Sequence, residues 1–90
     1  MQFEFDPAKS TANKEKHGID FVEAQALWRD VNSISTPGRS QDEVRYGIIG
    51  IIGGKHWVGY FTIRGRYIRI ISVRRARDAE RKHYEDNNRR

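Results

Sequence analysis

The segment Val44–Arg75, VRYGIIGIIGGKHWVGYFTIRGRYIRIISVRR, constrains the fold more than any other part of the chain. It contains three β-forming runs broken only by glycine. Val44 to Ile52 reads as one strand, His56 to Arg64 as a second and Tyr67 to Arg74 as a third. Gly53-Gly54 forms a tight hairpin, since both central residues accept positive φ, and Gly65 turns the chain again. Connections this short join antiparallel neighbours, so a β-meander is expected.

The residues before this segment have a different pattern. Gln2 to Phe5 is a short extended piece. Asp6-Pro7 opens a helix, with Asp able to cap orphan amides and Pro tolerated at the first helical position. The helix is expected from Pro7 to about His17, ended by Gly18, with Lys16 and His17 suiting the dipole of its last turn. Asp20 opens a second helix through an Asp20–Glu23 capping exchange, and Phe21, Ala24, Leu27 and Trp28 form its apolar stripe. Val31 to Ser35 is a possible further strand, and TPGRSQD (Thr36–Asp42) a polar loop with a Pro-Gly turn. After the meander, a last helix runs from Ala76 to about Asn87, and the final three residues fray. The expected fold is a single α+β domain over residues 1–90: two N-terminal helices, a three- to four-stranded antiparallel meander and one C-terminal helix.

Charge divides unevenly. The first 45 residues carry six Lys/Arg against eight Asp/Glu, and the last 45 carry eleven against four, within a net charge of +5. A basic half on a small domain favours a polyanionic partner, of which nucleic acid is the commonest. The chain contains no cysteine, which excludes disulfides and thiolate metal sites and suits a reducing cytoplasm. No apolar run approaches the roughly 18–20 residues of a membrane span. No basic flank precedes an apolar stretch, so a secretory signal is not expected. The three histidines are scattered without metal-ligand spacing, and there is no Gly-rich phosphate loop or G-x-S-x-G element, so neither a metal nor a cofactor is expected.

The candidates for chemistry are mostly arginines. Strict alternation in the last strand points Tyr67, Arg69, Ile71 and Val73 one way and Ile68, Ile70, Ser72 and Arg74 the other. Arg69 therefore needs a partner or a wet face. Arg74 and Arg75 stand where the strand meets the last helix, beside free backbone amides. They form either a phosphate site or a surface pair bridged to Asp or Glu. Arg64 ends the preceding strand, and antiparallel pairing sets it near the start of the last strand, away from Arg74. Glu43 and Arg45 share a face at the entrance to the central strand, as a structural ion pair or as a carboxylate poised near the basic cluster. Arg77 and Arg81 form a basic row on the last helix. Tyr84 either anchors that helix or stacks on a base.

Taken in order, FEFDPAKSTANKEKHGIDFVEA with its N-x-x-K-H-G element (Asn13–Gly18), E-x-R (Glu43–Arg45), Arg64 after an apolar strand and RIISVRRARDAERKHYE (Arg69–Glu85) resemble the BrnT family of toxins from BrnT–BrnA type II toxin–antitoxin systems. The resemblance covers nearly the whole chain. It implies a RelE-like fold and a metal-independent ribonuclease that inhibits translation and growth. It also implies a BrnA-like ribbon-helix-helix antitoxin that neutralises the toxin and through which the pair reaches operator DNA. The family's active residues fall by motif on Glu43, Arg64, Arg74 and Arg75, with Arg45, Arg69, Arg77 and Arg81 expected to meet RNA. The chain departs from the family pattern at Phe5, where Trp is usual, at Val31, where Pro is common, and at Val73, where a smaller residue stands. A non-catalytic nucleic-acid-binding or antitoxin-partner module is the competing reading.

Overall fold

A computed structural model describes residues 1–37 and 44–89. The described elements are β1 (Gln2–Glu4), α1 (Pro7–His17), a 3-10 helix (Glu23–Arg29), β2 (Ile34–Pro37), β3 (Tyr46–Ile52), β4 (Lys55–Arg64), β5 (Tyr67–Arg75) and α2 (Asp78–Asn87). The strands form one sheet in the order β1-β5-β4-β3-β2.

The expected three- to four-stranded antiparallel meander is therefore incorrect. The sheet has five strands and is mixed, because β1 runs parallel to β5 with Phe3 opposite Ile68. Three residues are too few for a period-2 pattern to register, and a parallel partner 65 positions away leaves no local signal. The meander itself forms over β3, β4 and β5, with Gly53, Gly54 and Gly65 at positive φ in its turns.

The second helix also differs from expectation. The capping exchange forms, with the Glu23 amide donating to Asp20 Oδ1 at 2.7 Å and the Asp20 amide to Glu23 Oε1 at 3.0 Å. The turns that follow are nevertheless 3-10. Phe21, Ala24 and Leu27, all almost fully buried, recur every three residues, and a three-residue turn stacks such positions on one line. This line lies very close to the sheet. A side-chain carbon added at Gly50 or Gly59 would come within 3.0 Å of Leu27, so two glycines open the seat that Leu27 fills.

The sheet has two unlike faces. The first carries the main core, in which Ile48, Trp57, Phe61, Ile68, Ile70 and Val73 meet Ile19, Phe21, Ala24 and Leu27, with Phe3, Phe5 and Trp28 at its margin. Phe5 packs edge-on against Phe21. Here α1 also covers the part of β5 that β1 does not reach. Buried Asn13 donates to the carbonyls of Val73 (3.0 Å) and Ile19 (2.8 Å) and accepts from the Val73 amide (3.1 Å). The Asn of N-x-x-K-H-G thus completes a strand edge, and Gly18 ends α1 in the left-handed conformation. On the second face a smaller cluster of Ile49, Val58 and Tyr84, flanked by Ile34, Ile51, Tyr60 and Ala76, seats α2.

The strict alternation expected in β5 fails at one point. Tyr60 lies opposite Ser72 but Phe61 lies opposite Ile70, which leaves Ile71 as an extra, bulged residue. Beyond the bulge the sides exchange. Val73 therefore joins Ile68 and Ile70 in the core, while Arg74 stands on the same face as Arg69.

Candidate functional site

Among the described residues the second face is only half covered. Tyr84 anchors α2 over Ile49 and Val58, at the middle of β3 and in the first half of β4. Toward the other end the same face carries Tyr60, Thr62 and Arg64 from β4, Tyr67, Arg69 and Ser72 from β5, and Glu4 from β1. Thr62 is buried, its hydroxyl donating to the Val44 carbonyl at 2.8 Å. The two arginines at this end remain accessible, Arg64 with 60% of its side chain exposed and Arg69 with 31%. They share Glu4, with Arg69 Nη1 3.4 Å and Arg64 Nε 3.9 Å from its carboxylate oxygens. One carboxylate between two guanidiniums leaves net positive charge on an accessible β-surface.

Arg74 occupies the covered end. Its Nη1 and Nη2 donate to the two oxygens of Glu80, both at 2.8 Å; Nη2 also donates to the Tyr60 hydroxyl at 2.8 Å and Nη1 to the Arg75 carbonyl at 3.2 Å. The guanidinium carbon lies 5.5 Å from the centre of the Tyr60 ring. Four of five N–H donors are thereby engaged, leaving the Nε–H. The fork on Glu80 raises the Arg74 pKa further and lowers that of Glu80 below the usual carboxylate range, against the opposing effect of burial. Glu80 additionally accepts from the Arg77 amide at 2.8 Å, capping the start of α2.

Arg74 and Arg75 point to opposite faces. Arg75 lies opposite Trp57, and its guanidinium sits 5.4 Å from that ring's centre on the core side, so the structure does not bring the pair onto one phosphate. Arg64 pairs with Tyr67 and Arg74 with Val58. Six positions along β4 separate these pairs, about 20 Å at strand rise. Arg69 lies between them on their face. Arg45 is exposed just before β3; Arg77 and Arg81 are exposed on and before α2. Glu43 lies outside the described residues.

A polar network secures α2 from below. Tyr84 donates to Asp30 Oδ2 at 2.8 Å, and the amides of Ile51 and Asn32 donate to the same carboxylate, each at 2.9 Å. Burial opposes ionisation of Asp30, but these three donors outweigh it and hold its pKa below the ordinary value. Burial, reinforced by the bond to Asp30, pushes Tyr84 up to about 12. His56 Nε2 lies 2.6 Å from Glu85, with its ring edge-on to Tyr84. Tyr84 is thus an anchor in this structure.

Glu80 and Tyr60 are the residues that the sequence reading did not select. Glu80 had a usable signal. It stands three residues after the residue preceding α2, the spacing at which a carboxylate folds back on the helix start, and Arg74 ends the strand beside it. Tyr60 had none, because its bond to Arg74 depends on the bulge. Among the described residues no group of three or more His, Asp or Glu could hold a metal ion. No helix among them is long and apolar enough to cross a membrane.

Comparison with known proteins agrees with the sequence motifs. The family described as ribonuclease toxin, BrnT, of type II toxin–antitoxin systems matches residues 5–80. No curated protein matches the chain significantly.

Proposed function

The chain belongs to the BrnT family of ribonuclease toxins of type II toxin–antitoxin systems, and on that premise we propose that it cuts RNA on the half-covered face of its sheet, without a metal, by attack of the RNA's own 2′-hydroxyl. The observation that carries this reading is the placement of Arg64, Arg69 and Arg74 along one face, with the first two accessible. Such cleavage needs three things: removal of the 2′ proton, stabilisation of charge on the phosphate, and protonation of the leaving 5′-oxygen. Guanidiniums suit the second task, since their planar fork matches phosphate oxygens. In this reading Arg64 and Arg69 meet the RNA backbone and Arg74 adds charge at the far end. Glu43 remains the candidate base. Arg45, Arg77 and Arg81 extend the positive field, and Arg75 contributes to that field from the other face.

Membership of a type II family implies a protein antitoxin and an RNA substrate. We assign the antitoxin role to a BrnA-like ribbon-helix-helix protein that covers the basic face with complementary acidic charge and carries the pair to operator DNA. The toxin then acts in the cytoplasm, on the RNA that supports translation.

The test is cleavage of a defined RNA by purified protein, with and without EDTA. The expected result is cutting that EDTA leaves unchanged and products ending in a 2′,3′-cyclic phosphate. Arg69→Ala should weaken RNA binding and lower the slope of log affinity against log salt by about 1. Binding without cutting would favour the non-catalytic module, and activity that EDTA abolishes and added metal restores would overturn the metal-free mechanism.

A further inference from the structure

We propose that Tyr60 is the proton donor to the leaving 5′-oxygen, held for that task by Arg74; the assignment rests on the ribonuclease reading above. Four observations on the half-covered face carry it.

First, Tyr60 is central. It stands between the Val58–Arg74 pair and the Thr62–Arg69 pair, on the face that presents both arginines. Second, its ring is seated beside a glycine. Gly47 lies opposite, and a side-chain carbon there would lie 3.6 Å from the Tyr60 ring, at ordinary contact distance. Third, its hydroxyl is fixed at the other end, accepting from Arg74 Nη2 at 2.8 Å. A phenol that accepts from a guanidinium turns its own proton away from it, and among the described residues that proton has no acceptor. Fourth, the donors of Arg74 are nearly spent on Glu80, Tyr60 and the Arg75 carbonyl, which leaves no free fork for a phosphate. Its charge is better placed to act through the hydroxyl it holds, as a positioning residue that also stabilises a transient phenolate.

A phenol is protonated at neutral pH and can donate, which the always-charged arginines around it do poorly. In the proposed step the 2′-oxygen bonds to phosphorus and its proton passes to the general base and from there to solvent water. The bond from phosphorus to the 5′-oxygen breaks, with its electron pair going to that oxygen. The 5′-oxygen takes the Tyr60 proton, and the phenolate regains one from water. The net change is transfer of one proton from the 2′- to the 5′-oxygen, with no oxidation or reduction.

The test compares wild type with Tyr60→Phe on two substrates, an oligoribonucleotide containing a mapped cleavage site and the same oligoribonucleotide with sulfur replacing the bridging 5′-oxygen. A thiolate leaves without protonation. Tyr60→Phe keeps the ring beside Arg74 and should lower kcat on the oxygen substrate by about 10²–10⁴-fold, the usual contribution of a general acid, with KM little changed. On the sulfur substrate the variant should match wild type. The ratio of the two rates cancels any difference in folded fraction. Equal slowing on both substrates, or slowing on neither, overturns the assignment. A wild type that cuts neither substrate overturns the ribonuclease reading, and the Tyr60 assignment with it.

Discussion

The two faces of the sheet are built by different means. On the first, α1 and the 3-10 helix close over an apolar layer, and the buried polar braces of α1, Ser10 and Asn13, have their contacts satisfied by backbone. On the second, α2 inserts a single large side chain, Tyr84, and holds through Asp30, Glu80 and Glu85 to partners on the strands and the 3-10 helix end. Apolar closure involves no titrating group and is not screened by salt as ion pairs are. Polar closure is weaker and conditional, but it keeps charged groups at the surface, where we propose that RNA meets them. The first face accounts for the fold, and the second leaves room for chemistry.

The sharpest way to break this contrast is to damage each face with one substitution. Leu27→Ala removes the side chain seated between Gly50 and Gly59 and leaves a cavity that the flanking strands cannot fill. The expected loss is about 2–5 kcal/mol in denaturant unfolding, a large share of the stability of so small a domain. Tyr84→Phe keeps the aromatic packing and removes one hydrogen bond to Asp30. Its expected cost is about 1 kcal/mol. Hydrogen exchange should show that cost concentrated in α2, with β4 and β5 protected nearly as in wild type. If the two variants open the same amides, the faces are one cooperative unit and the contrast fails.

The same contrast explains which features were legible in the sequence. Glycine turns and apolar runs are local, so β3, β4 and β5 could be read directly, as could α1 between Asp6 and Gly18. The pairing of β1 with β5 is not local, and neither is the bulge at Ile71. That one extra residue moves Val73 into the core and sets Arg74 beside Tyr60, so strict alternation assigned both to the wrong side. The choice of a 3-10 over an α-helix turned on the spacing of three in Phe21, Ala24 and Leu27, which Trp28 obscured by completing an α-like stripe. For the site, the chain's positive charge was legible as composition and the arginines as motif positions. Their division between faces was not, because it depends on register, and the Glu80 fork was visible only as one of two alternatives for Arg74.

The smallest expected effect is the dependence of the second face on pH. Asp30 and Glu80 both have folded pKa values depressed below their ordinary 3.8 and 4.5. Each therefore contributes stability that is fully present above those values and is lost as pH falls through the depressed folded values. Tyr84 acts in the opposite direction. Raised from 10.0 to about 12, it contributes stability that is present below pH 10 and lost as pH climbs toward 12. Docking of α2 should thus be strongest on a plateau between these limits and fall off on both sides, while on the other face the shifted pair Lys14 and Glu23 is exposed and screened by solvent. Both carboxylates are partly exposed, so solvent screening keeps the acid limb modest. Glu80→Gln should flatten part of the acid limb of stability against pH and leave the alkaline limb intact, whereas Tyr84→Phe should remove the alkaline limb and, by taking one donor from Asp30, reduce the acid limb as well. A wild-type acid limb that survives unchanged in both Glu80→Gln and Asp30→Asn would come from other depressed carboxylates such as Asp86, and the closure of the second face would then not depend on these two bonds.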